Sequence, residues 1–352
     1  MKRIISVAGM FLIFMSVALP QEKTWDVGLF SFFDNVEFDG SSVKIPQTMS
    51  GIMLRPDVGL RWDSVHSIAA GVIMLHEFGS DRAIDYLYPT AYYRYNGNNI
   101  RFLMGAFPRT AVQDKLSRIF FQDSVFYYRP NINGMFLEMV DERKYFNIWL
   151  DWTGRQSETV REAFFAGLSG RYWYRNFYAS HFSYMFHYAS RLDPVIHQPL
   201  HDNMLFLTSL GWDLSQSTFF TKLDLNAGWV LNLERERTGK AEWISRNGLL
   251  VELCAEYNFA GILNIFYAGK GMMSYYGDHG NRLYWGDPVY RAGTYDRLDL
   301  YIKFLRKERT DIRLTWSLHF MEGSVYNEQM LKVSIDIQNP RRLKDGSKAT
   351  IY

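Results

Sequence analysis

The chain has 352 residues, a net charge of +2 and a single cysteine, Cys254. That length allows a sizeable core or one large barrel. A near-neutral charge without a basic stripe excludes nucleic acid as a partner, and one thiol excludes an intrachain disulfide framework or a multi-cysteine metal site.

At the N-terminus Lys2-Arg3 precedes the apolar run Ile4–Leu19, and Ser16-Val17-Ala18 fits a small-x-small cleavage pattern. This reads as a secretory signal peptide over 1–20, and its lack of cysteine argues against a lipoprotein anchor. Beyond it no stretch reaches the ~18 apolar residues of a membrane-spanning helix. From Trp25 onward the dominant period is two. Alternating runs begin near residues 25, 47, 66, 86, 99, 133, 145, 162, 176, 203, 218, 248, 261, 295, 311 and 329. In Arg297–Phe304, for example, Leu298, Leu300, Ile302 and Phe304 oppose Arg297, Asp299, Tyr301 and Lys303.

The connections alternate as well. Short ones such as Asp63–His66, Asn96-Gly97-Asn98, Asp141–Lys144 and Tyr174-Arg175-Asn176 carry tight-turn residues. Long ones lie between them, over Asn35–Pro46, Thr110–Ile132, Arg191–Asp202, Glu234–Ser245 and Gly277–Gly293. The irregular connections of a soluble sandwich do not produce this rhythm. An outer-membrane barrel does, with short periplasmic turns and long external loops. The fold expected is therefore all-β, a transmembrane antiparallel up-and-down β-barrel of about sixteen strands over 21–338. Residues 339–352 form a tail or the end of the last strand. The location expected is the outer membrane of a Gram-negative bacterium.

In hydrocarbon the apolar face of each run turns to lipid and the charged face to the lumen. Aromatic residues make up 17% of the chain, an excess that suits the two girdles of such a barrel. A barrel this wide leaves an aqueous lumen. Arg94, Arg101, Arg109, Glu138, Asp151 and Arg171 fall on its expected wall. The mixed signs suit small hydrophilic solutes.

The strand count, the loop alternation and the long loop Ala111–Asn131 (AVQDKLSRIFFQDSVFYYRPN) together resemble Gram-negative general and sugar-specific porins. The resemblance covers nearly the whole mature chain and matches no specific porin motif. It implies passive diffusion of small solutes, saccharides among them, and a homotrimer. It also implies a third external loop folded into the barrel. On that loop Asp114 and Asp123 would face wall arginines, with Arg94, Arg101 and Arg109 nearest in sequence. Phe120, Phe121, Phe126, Tyr127 and Tyr128 would stack on solute.

Two other functions are weighed against this one. A non-transporting surface barrel would bind a partner through its external loops. A barrel enzyme would hydrolyse lipid, and His181-Phe182-Ser183 resembles the H-x-S pair of a lipid A deacylase. In the stretch FYASHFSYMFHY (177–188), parity sends Tyr178, Phe182, Tyr184, Phe186 and Tyr188 toward lipid. His181, Ser183 and His187 then face the lumen, away from acyl chains, where the histidines would tune conductance with pH. On this reading the chain is no enzyme, with no catalytic residue, no metal and no cofactor. Its partners are outer-membrane lipid and small solutes.

Overall fold

The computed structural model describes residues 22–113, 116–192, 198–237, 241–307 and 309–338. The expected leader over 1–20, the residues beyond 338 and Asp114 lie outside the described residues.

Sixteen strands run in chain order. They are β1 (Glu22–Glu37), β2 (Gln47–Trp62), β3 (His66–Glu77), β4 (Tyr86–Asn96), β5 (Ile100–Pro108), β6 (Asn131–Val140), β7 (Lys144–Gly154) and β8 (Ala163–Tyr174), then β9 (Phe177–Tyr188), β10 (His201–Asp213), β11 (Lys222–Glu236), β12 (Ile244–Tyr257), β13 (Ala260–Gly269), β14 (Thr294–Lys307), β15 (Thr310–Met321) and β16 (Ser324–Gln338). Each pairs antiparallel with its sequence neighbours, and β1 pairs with β16 from Asp26↔Gln338 to Glu37↔Asn327, so the sheet is a closed barrel. No helix among the described residues is long and apolar enough to cross a membrane.

The β-barrel fold and the strand positions agree with the periodicity. The largest shift is in the last strand, which starts at Ser324 rather than near 329. Its outward positions there include the polar Asn327 and Gln329, which break the apolar alternation. On the outer wall Val58, Leu210, Trp229, Leu300, Phe304 and Trp316 are exposed, as a lipid-facing surface requires. On the inner wall of β14, Tyr295, Arg297, Asp299 and Tyr301 are buried.

One strand of the wall depends on glycine. Gly105 has φ +123°, and a Cβ there would lie 2.3 Å from the Ala91 carbonyl oxygen. It faces Gly134 across the β5–β6 ladder, where a Cβ would lie 2.0 Å from the Leu150 carbonyl oxygen. Gly105→Ala is expected to cost at least ~1–3 kcal/mol through backbone strain. The check is the temperature at which the folded, fast-migrating band converts on a heat-modifiability gel, which should fall.

Candidate functional site

The lumen is packed rather than open. Two long loops, of which residues 109–113, 116–130 and 270–293 are described, turn into the barrel and bond to each other through Gln122 N–H to the Trp285 carbonyl (2.8 Å) and Asp287 N–H to the Arg118 carbonyl (2.9 Å). Their rings fill the interior. Phe120 meets Phe182 and Tyr184 at 6.4 and 5.7 Å, Phe121 meets Phe165 at 5.5 Å, and Tyr127 stacks on Phe32 at 4.0 Å. Phe126 and Tyr128 pack against the same core. These five residues are core rings, not platforms lining an open pore. What stays hollow is a cavity of about 620 Å³ toward the short-turn end, lined by Arg55, Arg94, Arg101, Asp57 and Asp336 among others.

The charged residues singled out in the sequence pair differently from the porin-like expectation. Asp123 meets Lys332 of β16 (2.7 Å) and Arg118 of its own loop (2.5 Å), not Arg94, Arg101 or Arg109. Arg109, 1% exposed, pairs with Asp151 at 2.7 Å and donates to the Arg129 and Asn131 carbonyls and to Gln113 Oε1. Arg101 pairs with Glu138 at 3.0 Å, and Arg171 lies over the Tyr178 ring at 4.3 Å. Burial alone would raise the Asp123 carboxyl, yet Arg118 and Lys332 more than offset it and hold it below its ordinary value of 3.8. A depressed aspartate contributes stability above its unfolded pKa and loses it as pH falls through the folded one. The inserted loops are thus expected to stay docked near neutral pH and to loosen below about pH 4. New protease cleavage within 109–130 on acidification would report it.

Asp34, Asp123 and Glu328 bring carboxylate oxygens within 4.8 Å of one another, the one such trio found among the described residues. Lys332 and Arg118 already compensate Asp123, and Arg297 compensates Glu328 at 3.1 Å. Cationic side chains therefore fill the place of an ion.

On β9 the parity assignment is reversed. Tyr178, Ser180, Phe182, Tyr184, Phe186 and Tyr188 are buried and face the lumen. The outward set is Phe177, Ala179, His181, Ser183, Met185 and His187. The cause is the pair of inserted loops, which give this barrel an aromatic interior for β9 to pack against. Tyr178 and Tyr188 are consequently not girdle residues, whereas Trp25, Trp152, Trp212, Trp229 and Trp316 are exposed as a girdle would be.

The outer wall thus carries a polar cluster. His181 Nε2 lies 3.2 Å from Ser183 Oγ, and His181 Nδ1 lies 2.9 Å from Thr208 Oγ1. The register fixes this geometry, because His181 stands opposite Thr208, and Ser183 stands between Leu168 and Phe206. With Nδ1–H donating to Thr208, Nε2 is the acceptor for the Ser183 hydroxyl. Ser183 also lines a shallow apolar groove of about 570 Å³ with Phe102, Leu137, Ile148, Leu168 and Phe206. A nucleophile within reach of a base, and the base oriented by a third group, is the arrangement covalent ester hydrolysis needs. The sequence carries this signal as H-x-S, while alternation alone does not say which side of the wall the pair faces.

Among solved structures the chain is similar in fold to three outer-membrane barrels. A loop-deletion variant of OmpT, an outer membrane protein of Vibrio cholerae, has TM-score 0.55 and 9% identity, covering 90% of this chain and 99% of that one. OccK9 of Pseudomonas aeruginosa has TM-score 0.52 and 11% identity, covering 90% and 99%. A triple mutant of the Rhodopseudomonas blastica porin has TM-score 0.50 and 12% identity, covering 90% and 100%. These identities speak for the fold, that of a bacterial outer-membrane barrel of porin-type architecture. No curated protein matches the chain in sequence. A family model described as Lipid A 3'-O-deacylase-type matches residues 21–337. That model describes an enzyme family, which overturns the expectation that the protein is not an enzyme. Its match runs through almost all of the barrel, and the chain belongs to the Lipid A 3'-O-deacylase-type family.

Proposed function

We propose that the protein hydrolyses acyl esters of outer-membrane lipid, with Ser183 as nucleophile and His181 as general base. The observation that carries the reading is the 3.2 Å His181–Ser183 contact on the lipid-facing side of the wall, beside an apolar groove. The family description supports lipid A as the substrate class. An ionisable side chain turned toward hydrocarbon is expensive and marks function more often than packing.

The step balances without any other group. Ser183 Oγ attacks the ester carbonyl while its proton passes to His181 Nε2. The tetrahedral intermediate then expels the lipid alkoxide, which takes that proton. Water activated by the same Nε2 hydrolyses the acyl-serine and releases the fatty acid. Thr208 keeps the imidazole in the required tautomer, and the groove holds the acyl chain. The rings packed in the lumen weigh against a porin-like open channel for solutes.

The test is direct. Refolded protein is incubated with lipid A in mixed micelles, and free fatty acid is measured by mass spectrometry. Release by the folded barrel is the expected result. No release from protein that passes the heat-modifiability check would sink the proposal.

A further inference from the structure

A second polar group stands higher on the same outer wall. A cross-strand row at the long-loop end reads Trp152, Phe164, His187, Asp202 and Arg235, fixed by the pairings Trp152↔Phe164, Phe164↔His187, His187↔Asp202 and Asp202↔Arg235. Trp243 closes the row, with the Arg235 guanidinium 4.2 Å from its ring centroid. Trp152 and Trp243 are exposed, as girdle tryptophans are, and Trp152 stacks on Phe164 at 5.0 Å.

The centre of this row breaks the girdle pattern. Asp202, 1% exposed, accepts from His187 Nδ1 (3.2 Å), Arg235 Nε (2.6 Å) and Arg237 Nε (2.8 Å). Two guanidinium groups on one carboxylate leave these three side chains at a net +1. Both arginines meet the same oxygen, Asp202 Oδ2, through Nε. The Arg237 side chain is 45% exposed. Cationic charge on an outward face is cheapest at the membrane interface, where anionic headgroups lie. Planar guanidinium pairs suit phosphate in particular, because they can present two parallel N–H donors.

We infer that the row His187, Asp202, Arg235, Arg237 and Trp243 is a docking site for the phosphate of an outer-leaflet lipid. Asp202 is a positioning residue that holds both arginines toward the headgroup layer. The inference deepens the hydrolase reading and rests on it in naming a phosphorylated lipid as substrate. Ser183 lies four residues down β9 from His187, ~13 Å at ~3.3 Å per residue. Both residues share the outward face of β9, so one long lipid molecule can touch both places.

Binding is measured in Ser183→Ala protein, so that turnover does not consume the ligand. Native mass spectrometry follows retention of lipid A and of its dephosphorylated form, with inorganic phosphate as competitor. The expected result is preferential retention of the phosphorylated lipid, weakened roughly tenfold or more by Arg235→Gln/Arg237→Gln and at high salt. Arg237→Gln alone, at a half-exposed side chain, should show part of the loss in a barrel that still folds. Equal retention of the two lipids, or retention unchanged in the double variant, would overturn the inference. So would full displacement by inorganic phosphate, which would mark a free-phosphate site. Selective retention with no fatty-acid release from the unmutated protein would keep the docking site and remove the hydrolase reading.

Discussion

Ser183→Ala is expected to cut fatty-acid release on the order of 10⁴-fold or more, to the uncatalysed background, with the folded band on the gel unchanged. The nucleophile and its base act as one unit, so His181→Gln should cost about as much, and the double variant little more than either. Thr208→Val removes only the group that orients the imidazole, so its loss should be smaller. The unmutated enzyme should gain activity as His181 loses its proton and then reach a plateau, because the base must be neutral to accept from Ser183. A long-chain sulfonyl fluoride should label Ser183, and the label should disappear in Ser183→Ala. Full activity in Ser183→Ala would place the chemistry elsewhere on the molecule.

Asp151→Ala should be the most damaging single change to the interior. It strips the carboxylate from Arg109, which is 1% exposed and paired at 2.7 Å. An uncompensated buried guanidinium costs about 3–5 kcal/mol. Arg109 also carries the entry of the first inserted loop through its bonds to the Arg129 and Asn131 carbonyls. The loss should therefore appear as a lower denaturant midpoint together with earlier proteolysis inside 109–130. Replacing both partners, Arg109→Met with Asp151→Leu, should recover a large part of it, because no charge is then left unpaired. A double variant no more stable than Asp151→Ala would show that the pair is not what holds the loop.

The wall was legible because a two-residue period in a membrane is set by the solvent on each side, and lipid outside is uniform. Arg297–Phe304 shows this, with its apolar residues outward and Arg297, Asp299 and Tyr301 buried inside. Tight-turn residues located the short connections for the same local reason. The interior was not legible, because its polarity is set by what fills it. FYASHFSYMFHY looked like a lipid face on its aromatic side. It is in fact a lumen face whose Phe182, Tyr184 and Phe186 meet Phe120, Phe121 and Trp285 from two distant loops. No local pattern in 177–188 announces those partners. The pair His181 and Ser183 was therefore recognised as an H-x-S motif and placed on the wrong side of the wall. Asp202 was missed altogether, since its meaning depends on His187, Arg235 and Arg237 arriving from neighbouring strands and loop.

The seam between β1 and β16 carries a consequence for how the molecule is made. The ring closes only when the last strand zips onto the first, from Asp26↔Gln338 to Glu37↔Asn327. Until then each partly built sheet exposes two unpaired edges in or near the bilayer, which hydrocarbon does not tolerate. The two inserted loops lie inside that ring and bond to each other, with Lys332 of the last strand holding Asp123. Threading them through a finished ring would mean dragging charged side chains past packed aromatics. The economical order is for the loops to settle on an open, curved sheet and for β16 to lock them in. Sealing the wall and setting its contents would then be one event, and a chain stalled before its last strand would lose both together.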